Sequence, residues 1–429
     1  MAMIKYPGMF RNEHPVTTDV DISSDSFWNQ DFIARDEVFA KLRREAPVSW
    51  HRARETPEIP EKYRDVGFWA ITKHEDITAI SLDHQTFSSD QRRGGQMFRS
   101  QDWDIVGASH FLTMDPPDHT RYRKIMSAAF TPKAVARLSQ KINERAEQII
   151  DRVIDAGEFD FVTDVSARLP MMTVADLIGV PEELVEAFAQ AGDNAVGIND
   201  PDIVPDGVSL SEFLSQQMNT LVEIGVDLVE HRKKYPADDI ATALAQAEFD
   251  GRRLDTEDIG AIMGLLSVAG NDTTKQTTTR TVISLDRNPD QRKWLVEDFD
   301  GRIGRSIEEF IRHASPVLEF GRSVTRDVEI RGQQIQTGDK VVIFYCSGNR
   351  DEDVWTDAHT FDLNREPQPH LGFGGGGVHY CLGNGVAKAQ LRALFSQILT
   401  RLPDLQIGEP VDLRSDFIHG VKSLPARTK

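Results

Sequence analysis

The most informative stretch of this sequence is Phe373-Gly374-Gly375-Gly376-Gly377-Val378-His379-Tyr380-Cys381-Leu382-Gly383. It places a cysteine at the end of a glycine-rich turn, directly before a run with helical periodicity from Leu382 to Leu402. Four consecutive glycines allow positive φ angles and let the backbone approach a flat, bulky ligand. A cysteine at a helix N-terminus lies near free amide N–H groups and the positive end of the helix dipole, which favours the thiolate. The stretch therefore predicts a ligand-binding turn with an ionised cysteine.

Two other interpretations of this turn can be compared with it. A phosphate-binding loop needs a lysine and Ser/Thr after the glycines, or a GxGxxG turn between a strand and a helix, and neither is present. A glycine-rich turn with a buried, inert cysteine stays open when the turn is taken alone. A thiolate that binds haem iron donates electron density to it and favours O–O cleavage. His379, two residues before Cys381, is placed to reach an anionic edge of such a cofactor.

Composition narrows the class of protein. The 429 residues include 49 Lys+Arg and 68 Asp+Glu, a formal net charge of −19, which argues against nucleic acid or an anionic membrane as the main partner. Cys346 and Cys381 are the only cysteines, so there is no disulfide framework, as in proteins of the reducing cytoplasm. The first residues lack the apolar region of a signal peptide, and no apolar run is long enough to span a bilayer. We expect a cytoplasmic protein that does not span a membrane.

Helical periodicity dominates the chain. The predicted helices are 36–45, 132–156, 182–191, 210–231, 256–285, 303–313 and 382–402, and the short predicted strands are 68–71, 322–328, 328–330, 333–335 and 340–344. No repeat, low-complexity tract or long polar linker interrupts them. The pattern indicates one mainly α domain over residues 1–429 with a small β portion, on which residues 1–35 pack as an N-terminal extension.

The predicted helix 256–285 carries a second informative motif. Leu265, Ala269 and Thr273 recur every four residues and share one face. Gly270 lies in mid-helix, where glycine costs about 1 kcal/mol relative to alanine, so we expect space for a ligand or a groove beside the backbone. Asp272 and Thr273 place an acid beside a hydroxyl, a pair that can pass protons to a reacting oxygen. The alternative is a helix packed closely on a neighbour, with Asp272 in solvent.

Three further observations are weak by themselves. Glu309 and Arg312 are three residues apart on one helical face, a spacing at which exposed pairs are common. His119 and Arg123 share a face of a helix that starts after Asp115-Pro116-Pro117, and by themselves they are a solvated basic face. Arg322 lies in a predicted strand. Together with His379, the residues His119, Arg123 and Arg322 provide four groups that can bind two carboxylates.

This ordered set of motifs resembles the cytochrome P-450 superfamily of haem-thiolate monooxygenases, from about Glu37 to Arg427. His119 and Arg123 match its His-x-x-x-Arg pair, Ala269 to Thr273 its Ala/Gly-Gly-x-acid-Thr motif, and Glu309 with Arg312 its Glu-x-x-Arg motif. The commonest bacterial form has Phe seven residues before Cys, whereas Phe373 precedes Cys381 by eight, with an extra glycine. That variant looks like the actinobacterial branch that acts on steroid side chains and methyl-branched lipids.

The resemblance implies a mainly α, single-domain cytochrome P-450 fold, a triangular helical prism with a small β-rich region. It implies haem b (iron protoporphyrin IX) between the Thr273 helix and the Cys381 loop, with Cys381 as the metal ligand and Thr273 and Asp272 as catalytic residues. The other residues expected around the cofactor are His119, Arg123, Ala269, Arg322, Phe373, Gly374, His379 and Gly383. Glu309, Arg312 and Arg365 are expected to form a structural triad.

The resemblance also places a substrate pocket. Its walls are expected to include Met97, Phe98, Val106, Leu265, Val268, Val317, Leu318 and Ile418. These residues are apolar and predict a lipophilic substrate, although we expect about a third of such residues to fill the ordinary core instead.

The leading hypothesis is a monomeric monooxygenase that uses O2 to hydroxylate a steroid, terpenoid or branched lipid. The resemblance implies that electrons come from NAD(P)H through a ferredoxin reductase and a ferredoxin. The ferredoxin would dock on a basic patch formed by Arg121, Lys124, Lys133, Lys388 and Arg392. The alternatives are a peroxide-driven haem-thiolate enzyme, against which the Asp272-Thr273 pair speaks, and a non-catalytic haem- or lipid-binding protein.

Overall fold

A computed structural model describes residues 12–56, 59–94, 97–100, 111–198, 200–249 and 251–428. Its α-helices, in chain order, are α1 Asp25–Trp28, α2 Phe32–Glu45, α3 His74–Leu82, α4 Asp118–Ser127, α5 Pro132–Val153, α6 Arg168–Ile178, α7 Val185–Val196, α8 Leu210–Lys234, α9 Ile240–Gln246, α10 Thr256–Arg287, α11 Pro289–Glu297, α12 Phe299–Ala314, α13 Tyr345–Gly348 and α14 Asn384–Arg401. The strands are β1 Val48–Arg52, β2 Gly67–Ile71, β3 Phe87–Ser88, β4 Glu158–Asp160, β5 Glu248–Phe249, β6 Arg252–Arg253, β7 Glu319–Val324, β8 Val328–Ile330, β9 Gln333–Ile335, β10 Lys340–Phe344, β11 Gln406–Ile407, β12 Val411–Asp412, β13 Val421–Ser423 and β14 Pro425–Arg427. In these residues no helix is both long enough and apolar enough to cross a bilayer.

The long helix α10 lies at the centre of the helical part. It begins with a capping box, in which the side chains of Asp255 and Asp258 accept hydrogen bonds from each other's backbone N–H groups. Over 32 residues it packs against α6, α7, α8 and α12. Most of its side chains are buried on all sides, which explains why its sequence shows little amphipathic contrast.

The largest sheet has five strands in the order β1-β2-β10-β7-β3. The central strand β10 runs parallel to β2 and antiparallel to β7, so that Val341 faces Trp69 on one side and Arg322 on the other. All five residues of β10 are buried. Arg322 therefore lies on a strand, β7, that is hydrogen-bonded to the buried centre of the sheet.

The helix after the cysteine turn packs on α5 and α12, and its Leu391, Leu394 and Phe395 belong to the largest apolar core cluster. Observed α14 is shorter than the predicted run 382–402 by two residues at the start and one at the end, because Gly383 is its N-cap. The predicted strand 322–328 is wrong in its second half, since β7 starts at Glu319 and ends at Val324. Helix α6 was not predicted, because most of its residues are buried and apolar and Pro170 lies in its first turn.

Candidate active site

The turn before Cys381 is closed by backbone hydrogen bonds. The N–H of Cys381 donates to the carbonyl of Phe373 over 3.0 Å, and the N–H of Gly374 donates to Leu371 over 2.9 Å. Gly374 has a φ of +91°, a conformation that favours glycine. These bonds fix the path of the chain from the short helix at Leu371–Phe373 to Cys381.

Two of the four glycines serve a different purpose from the expected one. A Cβ on Gly375 would lie 2.5 Å from Oγ of Ser81, and one on Gly377 would lie 2.3 Å from the backbone oxygen of Ser81. Both glycines therefore allow the turn to pack against the last turn of α3, rather than giving access to a ligand.

The thiol of Cys381 lies in a less favourable environment for ionisation than the sequence predicts. Burial raises the pKa of the thiol, and the N–H groups of Gly383 and Asn384 and the charge of Arg123 only partly oppose this. Burial therefore opposes ionisation of this thiol more than the helix start favours it, and a bound metal cation would favour the thiolate. Cys346 is fully enclosed in an aromatic core cluster, and burial raises its pKa to about 12. A thiol in that state is inert.

Two histidines meet beside this turn with unpaired nitrogen atoms. The rings of His119 and His379 have centroids 4.5 Å apart. Both nitrogens of His119 and Nε2 of His379 are buried and have no hydrogen-bond partner among the described residues. Burial, and secondarily Arg123, lowers the pKa of His119 to about 4, while burial and Arg322 lower that of His379 well below its usual value. Unsatisfied buried groups of this kind cost about 1–3 kcal/mol each, and an acceptor beside the two rings would satisfy the N–H groups that point to it.

Two arginines complete the same donor group. Arg123 donates from Nη2 to the carbonyl of Tyr380 over 2.6 Å, which joins α4 to the cysteine turn. Arg322 is almost fully buried and donates from Nη1 to the carbonyl of Gly321 over 2.7 Å. Guanidinium groups and imidazole N–H donors suit carboxylates, so the structure brings together the four groups expected to bind two of them.

The centre of α10 has an accessible strip, although most residues of this helix are buried. Ala269 is exposed, and Leu265, Val268 and Thr273 are half-buried, whereas the neighbouring Asp272 is buried. Thr273 donates from Oγ1 to the carbonyl of Ala269 over 3.0 Å, the local hydrogen bond that a threonine makes when it loosens a helix. The strip forms a shallow cradle with a small residue at its centre, which suits a flat ligand.

Gly270 does not contribute to that strip. A Cβ on Gly270 would lie 2.4 Å from Cγ2 of Val174, so the glycine allows α6 to pack closely on α10. The expectation that Gly270 leaves room for a ligand is wrong, and the helix-packing alternative holds for this residue. Its neighbour Ala269 faces the open side.

Asp272 is buried rather than solvated. Its Oδ1 accepts from Nζ of Lys275 over 2.7 Å and from Nε2 of Gln276 over 3.3 Å. Its Oδ2 is buried and has no partner among the residues that the structure describes. The acid of the acid–hydroxyl pair is therefore held firmly at one oxygen and left available at the other.

Glu309, Arg312 and Arg365 form a connected network. Arg312 makes two bonds of 2.7 Å to Glu309, and Nε of Arg365 lies 3.3 Å from Oε2 of the same carboxylate. Arg312 also donates to the carbonyls of Asn349 and Ala358. The network joins α12 to the segment that leads to the cysteine turn.

The expected pocket residues separate into two groups. The residues of the first group, Met97, Leu265, Val268 and Val317, are half-buried, and Val317 forms a β-bridge with the buried Ile418. Phe98 and Leu318 pack in an aromatic core cluster with Trp28 and Phe344. Val106 lies outside the described residues.

The comparisons with known proteins agree with these features. Residues 208–405 match the family model described as Cytochrome P450. The methyl-branched lipid omega-hydroxylase of Mycobacterium tuberculosis is 38% identical over 417 residues, covering 95% of this chain and 94% of the relative. The chain belongs to the cytochrome P450 family. The steroid C26-monooxygenase of the same species is 37% identical over 393 residues, covering 90% of this P450 and 87% of the relative.

A solved structure agrees with the fold as well. Mycobacterium marinum cytochrome P450 CYP268A2 in complex with pseudoionone superposes with a TM-score of 0.93 and 42% identity, covering 97% of this P450 and 100% of that chain. The resemblance seen in the sequence is therefore confirmed, as are the P450 fold, the monooxygenase class and the haem cofactor. The orphaned histidine nitrogens, the two arginines and the open strip on α10 fit such a cofactor.

Sequence reasoning missed the partners of Asp272. Lys275 is three residues further along α10, a spacing that indicates a contact on one helical face. Asp193 of α7, which binds Lys275 over 2.8 Å, carried no signal in the sequence.

Proposed function

We propose that this P450 uses O2 to insert one oxygen atom into a C–H bond of a lipophilic steroid, terpenoid or methyl-branched lipid. The observation that carries the proposal is the Asp272–Thr273 pair, which joins a buried acid with one unpaired oxygen to the open strip on α10. A protein that only stores haem or lipid has no use for such a pair, whereas oxygen chemistry needs a supply of protons.

The residues of the cysteine side would hold the cofactor. Cys381 is the proposed iron ligand, and His119, Arg123, Arg322 and His379 are the proposed partners of the haem carboxylates, supported by the unpaired nitrogens of the two histidines. Ala269, Phe373, Gly374 and Gly383 are proposed to lie against the ring. When bound, haem supplies the oxygen chemistry, and the chain supplies binding, orientation and exclusion of water.

On the opposite side, the chain's task is to move protons. Asp272 can take a proton at its free Oδ2, and the hydroxyl of Thr273, which now donates to Ala269, can turn to pass it on. Leu265, Val268 and the Val317–Ile418 bridge would cover the reacting carbon with apolar surface and keep bulk water away. Phe98 and Leu318 would support this wall from the core behind it.

The proposed substrate class follows from this apolar wall and from the relatives. One relative is named for the omega position of methyl-branched lipids and the other for C26 of steroids, which is a terminal position of the sterol side chain. Both positions end a branched alkyl chain. We therefore favour hydroxylation at the end of such a chain.

The electrons are proposed to come from a ferredoxin, itself reduced by a ferredoxin reductase. The proposed basic patch is smaller than its five residues indicate. Nζ of Lys388 lies 2.6 Å from Glu308, and Arg392 lies 2.6 Å from Asp300, so both are neutralised locally. Arg121 lies 3.7 Å from Asp118, whereas Lys124 and Lys133 are exposed and have no ion pair within 4.0 Å in the described part of the chain. Beside Lys124 a surface cavity of about 770 Å³ is lined by further basic residues, His84, Arg93 and Arg121, and by the acidic Asp115.

The test is a spectral titration of the haem-loaded protein with sterols, acyclic terpenoids, methyl-branched fatty acids and unbranched fatty acids of matched length. The best binders are then incubated with isotopically labelled O2, NAD(P)H, ferredoxin and reductase. We expect a single labelled oxygen at the end of the branched chain. Product formed only with added peroxide, or label found only from water, would contradict the proposal.

A further inference from the structure

Asp272 belongs to a buried cluster that joins α10 to α7. Nζ of Lys275 lies 2.7 Å from Oδ1 of Asp272 and 2.8 Å from Oδ2 of Asp193. The other oxygen of Asp193 accepts from Nδ2 of Asn271 over 2.7 Å. One turn of α10 therefore holds both oxygens of Asp193, and Lys275 connects that carboxylate to Asp272.

Burial differs along this cluster. The side chains of Asp272 and Lys275 are 4% and 9% exposed, whereas that of Asp193 is 29% exposed. Burial opposes the charge of Lys275, but Asp272 and Asp193 outweigh it and raise the pKa of the ammonium group above its ordinary value. Burial raises the pKa of Asp193, while Lys275 opposes that effect and Asp272 adds to it. Two carboxylates thus share one permanent cation, and the one nearer to solvent is Asp193.

The cluster determines which oxygen of Asp272 is free. Lys275 and Gln276 both donate to Oδ1, and Oδ2 is buried with no partner among the described residues. A buried carboxylate oxygen without a donor lowers stability, and a catalytic role is one explanation for such a group in a native structure. Without Lys275, the side chain could rotate and present either oxygen to either side.

We propose that Lys275 and Asp193 are positioning residues, which hold Asp272 by Oδ1 and keep Oδ2 free for the proton that passes to Thr273. This inference rests on the proposed role of Asp272 and Thr273 in proton delivery. Because Asp193 belongs to α7, the same contacts tie the position of the acid to a helix that packs along α10.

The experiment uses four single variants of the haem-loaded protein, and also Asp272→Asn alone and combined with Lys275→Met. Lys275→Met removes the cation, Lys275→Arg keeps it, and Asp193→Asn removes the outer carboxylate while keeping its size. Asn271→Ala is the matched control, because Asn271 binds Asp193 but has no bond to Asp272. Haem content and the substrate-induced spectral shift show whether each variant is intact.

The first readout is the amount of product per NAD(P)H consumed. We expect Lys275→Met to lower it about tenfold, a part of what a positioned acid contributes, and Lys275→Arg to restore most of it. Asp193→Asn should give an intermediate loss and Asn271→Ala little change. In the Asp272→Asn background, Lys275→Met should add nothing, because the lysine acts through that acid. An equal further loss in that background overturns the inference.

The second readout needs no turnover. The infrared carboxyl band of Asp272 in the resting protein is assigned by its loss in Asp272→Asn. In Lys275→Met this band should shift in frequency, because Oδ1 loses its hydrogen bond from the ammonium group of Lys275. A band unchanged in Lys275→Met overturns the inference. If Asp272→Asn itself leaves product per NAD(P)H unchanged, the proposed proton delivery fails, and the infrared band alone then decides whether Lys275 positions the acid.

Discussion

The cysteine turn and the centre of α10 are held in place by different forces. The turn is fixed by backbone hydrogen bonds and by glycines that pack against α3. The centre of α10 is fixed by side-chain charges, with Lys275 joining Asp272 to Asp193 of α7. Steric changes should therefore damage the first region, whereas changes of charge or of a hydroxyl should damage the second while leaving the fold intact. The predictions below test this difference.

The largest effect is expected at Cys381. Cys381→His should abolish the red-shifted Soret band of the reduced carbon monoxide complex, because a thiolate ligand gives that band its position. Cys346→Ala is the control and should keep the band, since that thiol lies in the aromatic core. Survival of the band in Cys381→His and its loss in Cys346→Ala would reverse the assignment.

The second-largest effect is expected in the network of Glu309, Arg312 and Arg365. Glu309→Ala leaves Arg312 and Arg365 without their carboxylate, and breaking a buried ion pair costs about 3–5 kcal/mol. We expect little haem-loaded protein, measured by the ratio of Soret to protein absorbance after expression. Glu366→Ala removes an exposed pair with Arg305 and serves as the control. A fully loaded, active Glu309→Ala protein would show that the network is dispensable.

The glycine turn tests steric packing directly. Gly377→Ala puts a Cβ 2.3 Å from a backbone oxygen of α3 at a φ of +71°, so we expect a loss of about 1–3 kcal/mol in unfolding free energy. In Gly385→Ala the nearest atom is Val135 Cγ2 at 3.6 Å, and that variant should be tolerated. Denaturant unfolding of the two variants measures the difference, and equal stabilities would refute the packing argument.

Thr273→Ala tests the other region. The variant should bind haem and substrate normally, because in the described part of the chain the hydroxyl is hydrogen-bonded only to the carbonyl of Ala269. We expect product per NAD(P)H to fall about tenfold, with the electrons going into peroxide or water. Thr277→Ala, which removes the equivalent bond one turn later, is the control. Unchanged yield in Thr273→Ala would argue against proton delivery by this residue.

The smallest effect concerns the surface. Arg121→Glu with Lys124→Glu should slow haem reduction by ferredoxin severalfold and leave substrate binding unchanged, because exposed charges act mainly on association. Raising the salt concentration should likewise slow haem reduction by ferredoxin in the unmodified protein. The matched control is Lys233→Glu with Lys234→Glu, which reverses two exposed charges at the end of α8, outside the five residues of the patch. A reduction rate that responds to neither change would exclude this docking surface.

The sequence by itself determined the family, the fold class and the order of the motifs, because each motif is local. Spacings of three and four residues put Glu309 with Arg312, and His119 with Arg123, on common helical faces, and in the structure each pair lies on one helix.

Local spacing could not show what lies beside a helix. Only the tertiary structure decided that Gly270 faces Val174, that Gly375 and Gly377 face Ser81, and that Phe98 and Leu318 lie in the core. For the same reason Asp193 was not predicted, since it reaches Lys275 from a helix that is 82 residues away in the chain.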